Sequence, residues 1–403
     1  MTANFEPGLY DDLFGTDAMR ALFSDPRRIA YMLEAEAALA RAEAKVGLVP
    51  AEAAAAITSA AQSLVPDIHA LREGTAKTGQ PITALIRALA EATGPEAGLW
   101  VHWGATTQDI VDTALVLQLR EALAAIEADL VGLISALADR AEQHRDTVMI
   151  GRTFQQQALP VTLGYKCALW LAPFVDHLAR LEELRPRLLR VQLGGPVGTL
   201  DSFGDNGRAV VEAFAQELGL GVPEAPWHSR RDSLVEFVAV LGLIAGNLAK
   251  FAGDIVLMAQ TEVGEVAEPV EPGRGGSSSM PHKRNPVQAA HIRAAASSIQ
   301  AQVAPMMTAM AGEHERAAGA WQSEALALPQ AVILTAGALA QADDLARRFT
   351  VDTERMRANL GGTNTEAALD PAAHLGDAGG VVDRVVARAR AAVAARTGPP
   401  TEE

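Results

Sequence analysis

Residues 101–146 read VHWGATTQDIVDTALVLQLREALAAIEADLVGLISALADRAEQHRD. Leu115, Leu119, Leu123, Ile126, Leu130, Leu133 and Leu137 follow one another at intervals of three or four. Apolar residues at that spacing make one continuous stripe on a helix face. About 30 residues of helix extend ~45 Å at 1.5 Å per residue, well beyond the usual globular helix. A rod of that length must be covered along its whole stripe, so this stretch predicts a helical bundle.

The pattern recurs. In LGLIAGNLAKFAGDIVLMAQTEVGEV (241–266), Leu241, Ile244, Leu248, Phe251, Ile255 and Met258 form a coiled-coil-like seam. Long helices are also expected near 159–189, 286–312 and 326–347. Five long helices predict an all-α chain built on an elongated central bundle. Such rods carry more apolar surface than one bundle hides, which implies oligomerisation. The expected division is an N-terminal helical domain (1–110), a central long-helix bundle (111–348) and a reduced C-terminal helical region (349–403). That last region holds one clear helix and a tail, RTGPPTEE, expected to be disordered.

Composition narrows the function classes. Hydrophobic residues make up 49% of the 403, much of it alanine, while aromatics are only 4%, a balance that suits close helix packing over sheets. The formal net charge of −15 argues against nucleic acid as a partner. It also means that a site for an anion needs its own local cations. Cys167 stands alone, so no intramolecular disulfide forms, which fits a cytoplasmic protein with an inert buried thiol. The first residues, MTANFEPGLYDD, lack the basic and apolar runs of a signal peptide. No uninterrupted apolar run is long enough to span a membrane. No spacing of metal ligands occurs, so no metal site is implied.

Three irregular stretches carry chemistry. The first is GRGGSSSMPHKRNPV (273–287). Asn285 and Pro286 read as the N-cap and first turn of a helix. Lys283 and Arg284 then stand just ahead of a helix N-terminus, which makes an anion site. Gly275 and Gly276 let the backbone approach a ligand, and the serines supply hydroxyls. The second is HWGATTQD (102–109), where Thr106 and Asp109 have capping-box spacing and Thr106 and Thr107 offer donors to a carboxylate. The third is IGRTFQQQALPVTLG (150–164), with Arg152 and Gln156 set among apolar residues. Alone, the second reads as simple capping and the third as an ordinary loop.

Together the three stretches resemble the aspartase/fumarase superfamily of lyases, whose signature G-S-S-x-M-P-x-K-x-N-P is matched from Gly276 to Pro286. The resemblance runs over nearly the whole chain and weakens past about residue 350. It implies a three-domain helical fold and a homotetramer with a twenty-helix core, each active site assembled from three subunits. Members form or break a C–N or C–O bond beside a carboxylate through an aci-carboxylate, whose extra charge calls for preorganised donors. The resemblance makes Ser278 the base, with Lys283 and His102 beside it in catalysis. It implies substrate contacts for Thr106, Thr107, Arg152, Thr153, Gln156, Ser277, Met280, Asn285 and Arg316. Arg20 and Arg231 are further candidate cations, although Arg230 and Arg231 read equally as solvated surface charges. His144 and His282, like His102, can orient carboxylates, shuttle protons or serve structure.

One departure bears on the reaction. Several members have T-H-x-Q-x-A-x-P in the third stretch, where this chain has Phe154 in place of His. Phenylalanine transfers no proton. An amine leaving group needs one; a carboxylate leaving group does not. That fits a lactonising branch of the family, which HWGATTQDIVDTALVLQLR, GRGGSSSMPHKRNPV and GEHERAAGAWQSE resemble as well; the resemblance implies a reaction in which a carboxylate adds across a conjugated double bond of a tricarboxylate made from protocatechuate, with no cofactor. The alternatives are a fumarate-releasing elimination, as in adenylosuccinate lyases, and a non-catalytic scaffold on the same fold.

Overall fold

A computed structural model describes residues 8–269, 271, 275–276, 280, 283–361 and 370–397. The N-terminal part holds α1 (Asp17–Leu22), α2 (Asp25–Lys45), α3 (Ala51–Ser63), α4 (Ile68–Thr78) and α5 (Ile82–Thr93). Their starts follow local capping chemistry. Thr16 and Ser24 accept from the N–H groups of Met19 and Arg27, and Asp67 accepts from His69, so donors with no partner inside the helix are satisfied.

The leucine stripe folds as a single helix of 37 residues, α6 (Thr107–Gln143), about 56 Å long at 1.5 Å per residue. Leu119, Leu123, Ile126, Leu130, Leu133 and Leu137 are fully buried, and Leu115 is half-buried against the same core. The other long helices are α7 (Leu163–Leu188), α9 (Asp232–Met258), α10 (Val287–Ala309) and α11 (Ala320–Arg348); the short α8 (Gly207–Leu218) precedes α9. Helix α10 packs along α9 and α11, α6 along α7 and α11, and α7 along α9, which closes the bundle. The second seam, Leu241 to Met258, lies in its core.

Both α9 and α11 are long and apolar enough to cross a membrane, and more than half of each apolar window is buried inside the bundle. They are core helices whose hydropathy reflects that burial.

Two small sheets depart from the all-helical expectation. Strands β1 (Val148–Thr153) and β2 (Gln156–Thr162) pair antiparallel, so the stretch read as an ordinary loop is a hairpin. Its turn residues Phe154 and Gln155 both have positive φ, 49° and 62°, as a two-residue hairpin of primed type requires. The usual Asn-Gly signal is absent, which is why the sequence pattern did not reveal it. A second pair, β3 (Val266–Ala267) and β4 (Thr350–Val351), ties the segment after α9 to the end of α11.

Beyond β4 come α12 (Thr353–Leu360) and α13 (Ala378–Thr397). Helix α13 lies on α6 and α7 through Val382, Val386 and Ala389, with exposed ion pairs such as Arg145–Asp383 at its edges. Of the tail expected to be disordered, Arg396 and Thr397 instead form the last residues of α13, and residues 398–403 lie outside the described residues.

Candidate active site

The motif stretches sit at opposite ends of the bundle. Thr106 and Thr107 begin α6, whereas Arg152 follows its far end, so about 56 Å of helix separates them. One chain alone does not bring them together.

At the first end, the Asp109 carboxylate reaches back to the Thr106 N–H at 3.0 Å, the expected capping contact. Asp109 does more than cap. It is fully buried and also accepts from Gln192 Nε2 at 3.0 Å and from the N–H groups of Gly194 and Gly195 at 2.9 Å. Burial pushes its carboxyl up to about 6, and these four hydrogen bonds hold it there against a larger rise. The residue thus locks the Gln192–Gly195 segment onto the head of α6. Next to it, Gln108 donates to the His228 carbonyl and accepts from Arg316 Nε, both at 2.9 Å. Arg316 also donates to the Pro196 carbonyl at 2.9 Å, so it is anchored at this end.

His102 stands in the turn before α6 with φ 61°, a backbone region that histidine enters more readily than most residues. Its Nδ1 lies 2.6 Å from Glu36 Oε1, and Glu36 is buried within α2. Burial alone would lower the ring's pKa. The Glu36 charge and hydrogen bond, with Asp109 adding to them, outweigh it and set His102 above the usual histidine range. Sequence reading missed Glu36. Its spacing, a heptad from Glu43 on the face that buries Met32 and Leu39, marks it as buried but does not reveal its partner 66 residues away.

Two candidate cations prove to be engaged. Arg231 is neither a solvated charge nor a free anion ligand: only 3% of its side chain is exposed. Asp112 takes both of its terminal nitrogens, at 2.6 and 3.0 Å, and Glu324 accepts from Nε at 2.8 Å. The Trp227 ring lies 5.0 Å from the guanidinium. Arg231 is therefore a strut joining α6, α9 and α11, whereas Arg230 is exposed as expected. Arg20 donates to the Asp11 carbonyl and to Asp17, both at 2.7 Å, and serves the first turns of the chain.

At the opposite end, Arg152 forms a bidentate pair with Glu265 at 2.7 and 2.8 Å. Asn359 donates to the same fully buried carboxylate. The Arg152 charge is thus already neutralised within the chain, contrary to its expected role as an open carboxylate ligand. Thr153 and Gln156 face each other across the hairpin turn, and Phe154 at its tip is completely exposed. His144 is buried near Thr147, and burial and then Arg140 lower its pKa, which makes it a neutral structural group.

The signature loop lies at this same end. Its feet are joined: Asn285 N–H donates to the Gly275 carbonyl at 2.9 Å, and Gly276 bridges Arg284. Gly275 has φ 64°, and a Cβ there would stand 2.8 Å from the Asn285 carbonyl oxygen, so glycine is required. Ser277, Ser278, Ser279, Pro281 and His282 lie outside the described residues. Lys283 is exposed, and Met280 is partly so. With Gly275, Gly276 and Asn285, Lys283 lines a cleft of about 830 Å³ whose other wall is Thr350–Glu354.

The expected capping at this loop needs correction. Helix α10 starts at Val287 with Pro286, not Asn285, at the N-cap, and no side chain of the cap residue bonds the helix. The Glu268 carboxylate does so instead, accepting from the N–H groups of Gln288 at 3.1 Å and Ala289 at 2.7 Å. This helix N-terminus already holds an anion, one of the protein's own. Among the described residues no cluster of potential metal ligands occurs. Cys167 is fully buried, and burial pushes its thiol up to about 12.

A family model described as lyase matches residues 14–301. The chain is 51% identical over 359 residues to a 3-carboxy-cis,cis-muconate cycloisomerase of Pseudomonas aeruginosa, covering 88% of this chain and 78% of that one. It is 41% identical over 371 residues to a nitrosuccinate lyase of Streptomyces davaonensis, covering 89% and 78%. The crystal structure of the 3-carboxy-cis,cis-muconate lactonizing enzyme from Pseudomonas putida superimposes with a TM-score of 0.89 at 43% identity, over 95% of this chain and 99% of that one. The aligned lengths, the shared fold and the loop motif agree: this chain belongs to the lyase family, within the aspartase/fumarase superfamily.

Proposed function

We propose that the chain is a cofactor-independent lactonising enzyme that converts 3-carboxy-cis,cis-muconate to 4-carboxymuconolactone in protocatechuate breakdown. The observation that carries this reading is Phe154 at the exposed hairpin tip, a ring that transfers no proton where related lyases carry a histidine. The similarity to two lactonising enzymes supports it.

In the reaction, one substrate carboxylate oxygen adds to a carbon of a double bond conjugated with a second carboxylate. A C–O bond forms, and the π pair moves onto that second carboxylate as an aci-carboxylate. Protonation at the carbon beside it completes the lactone. Atoms balance and no electron is gained or lost, so the step needs no co-reactant. Ser278 handles the proton, acting as the base in the reverse direction. Lys283, His102 and Arg316 meet the charge on the three carboxylates, and Thr106, Thr107, Ser277, Met280 and Asn285 complete the substrate contacts. The Arg152–Glu265 pair holds the hairpin beside the loop, with Thr153 and Gln156 at its turn.

We further propose a homotetramer in the cytoplasm, with each site shared by three subunits. Two features support it. The motif stretches lie a bundle's length apart in one chain, and Phe154, Leu169, Leu243 and Met307 leave large apolar groups exposed.

Ultraviolet monitoring of 3-carboxymuconate loss, with the lactone identified by NMR, tests the reaction. Wild type should yield the lactone, and Ser278→Ala should lose about a hundredfold or more in turnover. Release of fumarate from adenylosuccinate would sink the reading; unchanged turnover in Ser278→Ala would remove Ser278 from its role.

A further inference from the structure

We propose that Glu36 is a positioning residue for this reaction: it fixes the tautomer and orientation of His102, so that Nδ1–H faces the protein and Nε2 is the ring atom offered to substrate. The proposal rests on His102 meeting a substrate carboxylate, as read above.

A histidine in a turn has a freely rotating ring unless a partner holds it. Here the partner is a carboxylate on a neighbouring helix, 2.6 Å from Nδ1 and itself almost wholly buried. A carboxylate only accepts, so the shared proton belongs to the ring nitrogen. The histidine backbone is also held in its left-handed turn at φ 61°. Backbone and ring are thus both fixed before substrate arrives, which is what a preorganised donor requires.

The electrostatics agree with the geometry. Among the described residues, the charged groups acting on the ring are Glu36 from α2 and Asp109 from the head of α6. Glu43, further along α2, acts on this pair only indirectly. It is fully buried, neither of its carboxyl oxygens has a hydrogen-bond partner among the described residues, and burial and then the Glu36 charge push it up to about 9. Glu43 is therefore neutral near pH 7. Glu36 touches the His102 ring and Glu43 does not. That asymmetry lets the two be told apart by experiment. With Nδ1–H held by Glu36, a protonated His102 donates from Nε2 to a substrate carboxylate. Activity then falls as pH rises through the His102 midpoint.

The test uses the full-length wild type, Glu36→Gln and Glu43→Gln. The His102 midpoint is read by NMR of selectively 15N-labelled histidine without substrate, and kcat/KM is read against pH. Glu36→Gln should lower the His102 midpoint, move the alkaline limb of kcat/KM down by the same interval, and cut kcat about tenfold near pH 7.5. Glu43→Gln should change neither readout below about pH 8. If Glu36→Gln moves the midpoint but not the limb, the pair is merely structural and the proposal fails. Equal effects from both variants would also overturn it, since general loosening of α2 would then explain them. Should Glu36→Gln not fold, Glu36→Asp retains the charge, and its midpoint and limb must still move together. A wild type inert toward 3-carboxymuconate would defeat the proposed function instead, while the substrate-free titration still decides whether Glu36 governs His102.

Discussion

Replacing Glu43 by glutamine should change how the stability of this protein depends on pH. The side chain is fully buried on α2, and the folded protein holds its carboxyl near 9 against an ordinary value of 4.5. The sign follows from proton linkage. A raised folded pKa means that the unfolded chain ionises first, so stability is full below about pH 4.5 and declines as pH rises toward about 9. The loss is about 1.4 kcal/mol per pH unit within that window, or roughly 3 kcal/mol between about pH 5 and 7.5. Glu43→Gln keeps the shape and removes the titration. Any constant cost of burying the amide cancels when the two pH values are compared. Denaturant unfolding of wild type and variant at both pH values, at equal protein concentration, gives the comparison. The variant should gain about 3 kcal/mol relative to wild type on going from the lower to the higher pH. Parallel pH profiles for the two proteins would show that Glu43 ionises in the folded state near its ordinary pKa, and the predicted window would be absent.

Two further outcomes follow from charges that the fold has paired. Arg231→Met leaves Asp112 and Glu324 buried without their counter-charge and should cost about 3–5 kcal/mol, read by thermal or denaturant unfolding; Arg231→Lys should recover only part of it, since an ammonium cannot serve both carboxylates in the same fork geometry. Glu268→Ala removes the carboxylate capping α10 and should lower stability by about 1 kcal/mol, with faster amide hydrogen exchange confined to the first turn of that helix.

Much of the fold was legible because helix formation is written in short-range spacing. The leucines of α6 and the seam of α9 are local patterns, and both lie in the core as read. Boundaries moved where no local signal marked them: α9 begins at Asp232, well ahead of its clearest apolar repeat. The hairpin escaped because its turn uses Phe154 and Gln155, two residues with no preference for positive φ. In the candidate site, the loop motif and the Thr106–Asp109 cap could be read directly from residue order. Glu36, Glu265 and Glu268 could not, since each acts on a residue remote in sequence or reached across a fold-dependent turn.

Residue order alone was enough for the long helices, the bundle they make, and the superfamily whose loop this chain carries. These depend on periodicity and on residues adjacent in the chain. Which charges are free was left for the folded arrangement to settle. Arg231 and Arg152 read as open cations until Asp112, Glu324 and Glu265 close on them, and the head of α10 read as an anion site until Glu268 fills it. The physical reason is that a side chain's charge is set by its type, whereas its availability is set by what the fold places within about 3 Å of it.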